Sequence, residues 1–289
     1  MTTPEPPTYG GWQPPEAPHD EAPVGPPAER QVPAWAPFAA LAAALMIVLL
    51  IGGTLLGLLQ AADPDFDSDD IPVGVTLGLT VFQSVVFVIA ACITVRLALG
   101  RVPREAFGLN RVSRVWQAIG LVVLVYVGFI VFQNVLVEIF GKPEEQALVE
   151  DVKNEDSALV LVGYVLTICL IAPVVEEFFF RGFMFGALAR RLGPWWGMAI
   201  TGVVFGLAHA PNPAISLIAL GAFGVGLCLL YWRTQSIVPC MALHALNNSI
   251  TFGLTRELDP ALFAGIVIGS VGAVTVAAQA LSSRRSVAA

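Results

Sequence analysis

Three charged side chains stand where a chain of this kind tolerates charge least. Residues 159–188 read LVLVGYVLTICLIAPVVEEFFFRGFMFGAL, and Glu176, Glu177 and Arg181 fall within six positions of that apolar run. An ionised group at the centre of a bilayer costs at least ~2.5–3.5 kcal/mol on insertion scales. Three so close together must be paired, solvated in a cavity, or put to use, and the default reading of such a cluster is a functional site. The rest of the fold has to be arranged around them.

The lipid environment follows from composition. The chain is 56% hydrophobic and 13% charged, with a mean hydropathy of +0.75, where soluble domains carry about 25% charged residues. A helical span needs roughly 20 mostly apolar residues. Eight such runs occur, at about 35–59, 73–99, 115–140, 158–187, 195–210, 213–232, 236–254 and 261–282. The expected fold is all-α, a polytopic transmembrane helix bundle of about eight spans. The fifth, sixth and seventh runs are short, which places them inside the bundle rather than against lipid. The alternating pattern of a membrane β-barrel is absent from the sequence.

Loop charge orients the bundle by the positive-inside rule. Arg96, Arg101, Arg104, Arg111 and Arg114 lie between spans 2 and 3, Arg190 and Arg191 between spans 4 and 5, Arg233 after span 6, and Arg284 and Arg285 after span 8. With eight spans all of these share one side. The opposite loops are acidic, DPDFDSDD at 63–70 and the stretch with Glu144, Glu145, Glu150, Asp151, Glu155 and Asp156. The expectation is a multi-pass cell-membrane protein with both termini cytoplasmic. The formal charge of −7 is then a sum over two opposite faces, and the arginine clusters are too small to argue for a nucleic-acid partner.

Residues 1–33 carry ten prolines and almost no aliphatic side chains. Such a segment cannot bury a core and reads as a disordered, Pro-rich cytoplasmic tail. It is not a secretory signal, because no basic n-region precedes the first apolar run. Residues 34–285 are expected to form the bundle. The four cysteines (Cys92, Cys169, Cys228, Cys240) all fall in apolar spans without metal or redox spacing, and read as small buried hydrophobes.

Of three histidines, His19 is in the tail, while His209 and His244 are within spans. Asn248 lies one turn after His244, and Phe205 one turn before His209. Residues at i and i+4 share a helix face. Glu176 precedes Gly193 by 17 residues and His209 follows it by 16, so at 1.5 Å per residue each lies roughly 25 Å along its helix from that turn. Antiparallel neighbours would bring them level. His244 and Asn248 are 11 and 15 residues past Arg233, roughly 16–22 Å by the same rise. Three spans thus place their polar groups in one layer, where the remaining spans offer almost nothing polar.

The two glutamates need separate roles, since adjacent helix positions diverge by about 100°. Glu177 and Arg181 are i and i+4 with the acid first, the favoured order for a pair. That leaves Glu176 as the freer carboxylate and the candidate general base. Pro173 removes one backbone N–H and is expected to free the Cys169 carbonyl, an irregularity tolerated in a membrane where it borders a polar cavity.

Taken together, Glu-Glu-x-x-x-Arg at 176–181, Phe-x-x-x-His at 205–209 and His-x-x-x-Asn at 244–248 resemble the three motifs of the CPBP intramembrane proteases, the family of the CAAX prenyl endopeptidases and the bacterial Abi proteins. Motif order and spacing match, over about 157–254. The resemblance implies an intramembrane endopeptidase acting on a membrane-associated protein or peptide. It implies that Glu176 with His209 activates the attacking water, that His244 and Asn248 stabilise the oxyanion, and that Glu177, Arg181 and Phe205 support the site. Amide hydrolysis needs such a base and such preorganised donors. No cofactor is required on this reading. Zinc held by the two histidines and two glutamates is the alternative, and it is not favoured, since HExxH is absent from the sequence. Two other classes compete. A proton- or ion-coupled transporter would show paired, repeated halves, which the sequence lacks. A non-catalytic scaffold or immunity protein would have no need of the full motif set.

Overall fold

The computed structural model describes residues 30–63, 66, 71–210 and 212–282. Residues 1–29 of the expected tail, with His19, and Arg284 and Arg285 lie outside them; the last residues of that expected tail are described, and Val32 is buried in the bundle core rather than disordered. Contacts divide the chain after Arg30, and the helical bundle belongs to the second unit, from Gln31 onward.

Long apolar segments with no water to satisfy their amides must close their own hydrogen bonds, and every regular element among the described residues is helical. In chain order they are α1 (Ala36–Ala62), α2 (Val73–Leu99), α3 (Val115–Phe140), α4 (Ala147–Asn154), α5 (Ala158–Leu192), α6 (Pro194–Leu207), α7 (Ala214–Thr234), α8 (Val238–Thr255) and α9 (Pro260–Leu281). Each expected span has its helix. Six are long and apolar enough to cross a membrane; α6, with 14 residues, is too short, and α8 is not among the six. The reason in α8 is its polar content, His244, Asn247 and Asn248 together. The short α4, of eight residues, lies between two spans and has no counterpart among the expected runs.

Local signals set the helix ends. Gly100, at φ 75°, closes α2 in the left-handed conformation. Gly193, at φ 82°, turns α5 into α6, whose first residue is Pro194. The Asp259 carboxylate accepts from the amides of Ala261 and Leu262 to cap α9.

Close approach of α6 and α7 depends on glycine. A Cβ on Gly206 would stand 2.6 Å from the Leu217 carbonyl oxygen, and one on Gly202 2.8 Å from that of Gly221. Small residues let helices pack where lipid removes the hydrophobic drive. The tight fit brings the end of α6, with Phe205, against the start of α7, and His209, expected within a helical span, lies in the turn that follows α6.

One end of the bundle carries the arginine-bearing loops. There Ile237 donates its amide to Gly108, Asn110 bonds to Gln235, Ser236 donates to Asn110, and Arg104 donates to Leu281. At the other end, Arg256 donates to the Val152 and Lys153 carbonyls and so ties the α8–α9 turn to the C-terminus of α4.

Candidate active site

The centre of the site is built on an irregular helix. Within α5 the backbone runs in π-helical i→i+5 bonding over Val165–Ile171 and again over Glu177–Phe185. Such segments are frequent at functional sites. Pro173 explains the first. In i→i+5 register its missing N–H faces Ile168, not Cys169, and it is the Ile168 carbonyl that Asn248 Nδ2 bonds from α8, at 2.9 Å. The freed acceptor thus lies one residue earlier than expected, because the expectation assumed an i→i+4 ladder.

The second π segment carries the ion pair. There Arg181 Nη1 meets Glu177 Oε1 at 2.9 Å with both side chains fully buried. The guanidinium also donates to the Gly224 carbonyl at 3.3 Å and lies 4.2 Å from the centre of the Phe205 ring. Glu177 has a further partner. His244 Nδ1 lies 2.8 Å from the same Oε1. A carboxylate held by arginine can only accept, so Nδ1 carries the proton, and His244 directs Nε2 toward Glu176 Oε2, 3.9 Å away.

Glu176 sits at the edge of this cluster, with 23% of its side chain exposed. Its Oε2 has no hydrogen-bond partner among the described residues. It borders a cavity of about 480 Å³ that is also lined by His209, His244, Asn247 and Asn248. His209 Nδ1 lies 2.8 Å from the Phe205 carbonyl. A carbonyl accepts, so Nδ1–H donates and the neutral ring keeps a lone pair on Nε2. Phe205 organises both imidazoles, with its ring 5.0 Å from that of His209 and 6.0 Å from that of His244.

The structure therefore places Glu176, His209, His244 and Asn248 on one cavity, with Glu177, Arg181 and Phe205 behind it. The imidazole that approaches Glu176 is His244; among the described residues His209 makes neither an ion pair nor a hydrogen bond with it. The layer is also richer in polar groups than expected. Gln83 from α2 and Gln133 from α3 line the same cavity, with Asn247 donating to Asn248 at 3.3 Å. Gly224 and Phe223, whose ring stands 5.7 Å from His244, left no signal in the sequence, since their part depends on where α7 packs. Among the described residues no three His, Cys, Asp or Glu side chains are gathered closely enough to hold a metal ion. Ser249 is buried.

Comparison with known proteins bears on the same segment. Residues 158–250 match the family described as type II CAAX prenyl endopeptidase Rce1-like. The candidate membrane peptidase YdiL of Bacillus subtilis (strain 168) is 28% identical over 183 residues, covering 61% of this chain and 72% of that protein. No solved structure matches.

Proposed function

From the premise that this chain is a membrane protease whose residues 158–250 belong to the Rce1-like family, we propose that it is an intramembrane endopeptidase using a glutamate-activated water. One observation carries the reading: a carboxylate with an unpartnered oxygen, Glu176, faces a cavity 3.9 Å from an imidazole whose far nitrogen is held by a buried, arginine-paired glutamate.

Each group has a defined task in amide hydrolysis. Glu176 takes a proton from water, and the oxygen attacks the scissile carbonyl. The lone pair of His209 Nε2 accepts the other water proton as a hydrogen bond and sets the direction of attack. Negative charge then gathers on the former carbonyl oxygen. The Glu177 carboxylate holds His244 by Nδ1, and a proton on Nε2, the nitrogen turned to the cavity, donates to that oxyanion. Asn248 has one amide hydrogen committed to Ile168 and a second for the oxyanion, from the same face of α8. Collapse of the intermediate breaks the C–N bond, and the proton on Glu176 passes to the leaving amine. The substrate is a membrane-associated protein or peptide.

Glu176→Gln keeps shape and removes the base. Cleavage of a model peptide by purified protein in liposomes is expected to fall ~10²–10⁴-fold, the usual contribution of general-base catalysis, with thermal stability close to wild type. Equal cleavage by wild type and Glu176→Gln would remove this mechanism.

A further inference from the structure

The cavity does not face both sides of the bundle equally. On α5 its lining runs from Thr167 to Phe180 and stops; Arg190 lies ten residues further on, about 15 Å at the helical rise. On α7 it uses only the first two turns, Ser216, Ala219 and Leu220. Arg233 follows Leu220 by 13 residues, about 20 Å. On α8 it begins at His244 and continues to the last residue, Thr255. On α2 it takes Thr80 to Phe87, as far as the middle of the helix, and on α3 Phe129 to Gln133, beyond the middle as seen from the arginine loop that joins them, with Leu45 from near the middle of α1. Finally α4 and the residue before it supply Gln146, Leu148, Val149 and Val152.

On the arginine side the site is closed by an aromatic layer. Phe107, from the turn Arg104–Phe107 in the arginine loop, stacks on Phe178 at 4.1 Å, and Phe179 meets Phe180 and Phe183 edge-on at 5.4 and 5.5 Å. Phe185 stands edge-on to Tyr231. Gly182 is pressed so closely to the Phe107 carbonyl that a Cβ would collide with it. Phe107, Phe179, Phe180, Phe183 and Phe185 are all buried.

The positive-inside rule assigns the arginine end to the cytoplasm. We propose that the catalytic cavity opens on the extracytoplasmic side, and that its substrate is an extended, uncharged polypeptide segment presented at the outer surface of the membrane. The side chains that line the way in suit main chain rather than charge. Gln83, Gln133, Gln146, Asn212 and Asn247 are amides, able to donate to a peptide carbonyl and accept from a peptide N–H. Beyond Glu176, no acid and no lysine or arginine among the described residues lines the cavity. A basic or acidic residue passing inward would find no counter-charge until the catalytic cluster.

The proposal rests on the protease reading for its substrate, but its side assignment can be tested without cleavage. Cysteine is introduced singly at Ser113 on the arginine face, at Gln146 beside α4, and at Thr251 within the cavity. The full chain is expressed in cells and exposed to a membrane-impermeant sulfonated thiosulfonate, with the wild-type chain as background. In intact cells Q146C and T251C should be modified as fully as in permeabilised cells, and S113C only after permeabilisation. Modification of S113C in intact cells would invert the orientation and overturn the proposal. So would modification of T251C only from the cytoplasmic face, in inside-out vesicles, because the cavity would then open the other way whatever the loops do. If Glu176→Gln still cleaves while T251C reacts from outside, the protease mechanism fails and the side assignment stands.

Discussion

Glu177 is the residue whose removal separates architecture from chemistry. It is fully buried, and both of its bonds fall on one oxygen, Oε1, which accepts from Arg181 at 2.9 Å and His244 at 2.8 Å. A glutamine in the same rotamer can keep an oxygen in that place and so keep both hydrogen bonds. What Glu177→Gln loses is the charge opposite a fully buried Arg181. Stripping one partner from a buried ion pair costs ~3–5 kcal/mol, and retention of the two bonds places this variant near ~3. Glu177→Leu, which loses bonds as well as charge, belongs near ~5. Against a total stability of about 5–15 kcal/mol either change should show first as poor yield and a lowered unfolding midpoint in detergent. The double variant Glu177→Leu/Arg181→Met should recover part of the loss, because replacing both members of a buried pair by apolar groups is often neutral. Thermal and denaturant unfolding of the purified variants measure all three. A Glu177→Gln protein within about 0.5 kcal/mol of wild type, the range of ordinary surface changes, would refute the reasoning, since Arg181 would then not depend on this carboxylate. Glu176, with 23% exposure and no partner on Oε2, carries no such structural burden, and its glutamine variant should lose activity while keeping its midpoint.

Gly206→Ala puts a methyl group 2.6 Å from the Leu217 carbonyl oxygen and should cost ~1–3 kcal/mol by overpacking, read as a lower unfolding midpoint together with lost cleavage as His209 is displaced. Gln133→Leu removes an amide from the cavity wall and should raise KM with little change in kcat, the pattern of lost ground-state binding. Steady-state kinetics decide between that and a purely structural defect, which would lower the active fraction and leave KM alone. Chelators should leave cleavage intact in purified protein; activity lost to a chelator and restored by zinc would recast Glu176, His209 and His244 as ligands.

The positions of the helices and the motif spacing were legible from the sequence because both are local, although six rather than eight of the described helices are long and apolar enough to cross a membrane. About 20 apolar residues in a row need only their own backbone hydrogen bonds to become a helix, and the eight expected runs each contain one. Glu177 and Arg181 pair within one helix, so their spacing alone announced them. The contacts that give the site its chemistry are not local. His244 reaches Glu177 across 67 residues, Asn248 reaches Ile168 across 80, and Arg181 reaches Gly224 across 43. Their distances are set by how closely α6 packs on α7 and by where α8 lies against α5, which no pattern along the chain encodes. The same holds for Gln83 and Gln133, unremarkable in their own helices until packing turns them to one cavity. Pro173 was visible, but the carbonyl it frees depends on the π register that the surrounding helices hold. The loop charges could orient the chain, yet the side on which the cavity opens was decided only by tertiary packing, in which a layer of phenylalanines seals one end of the bundle and uncharged amides line the way to the other.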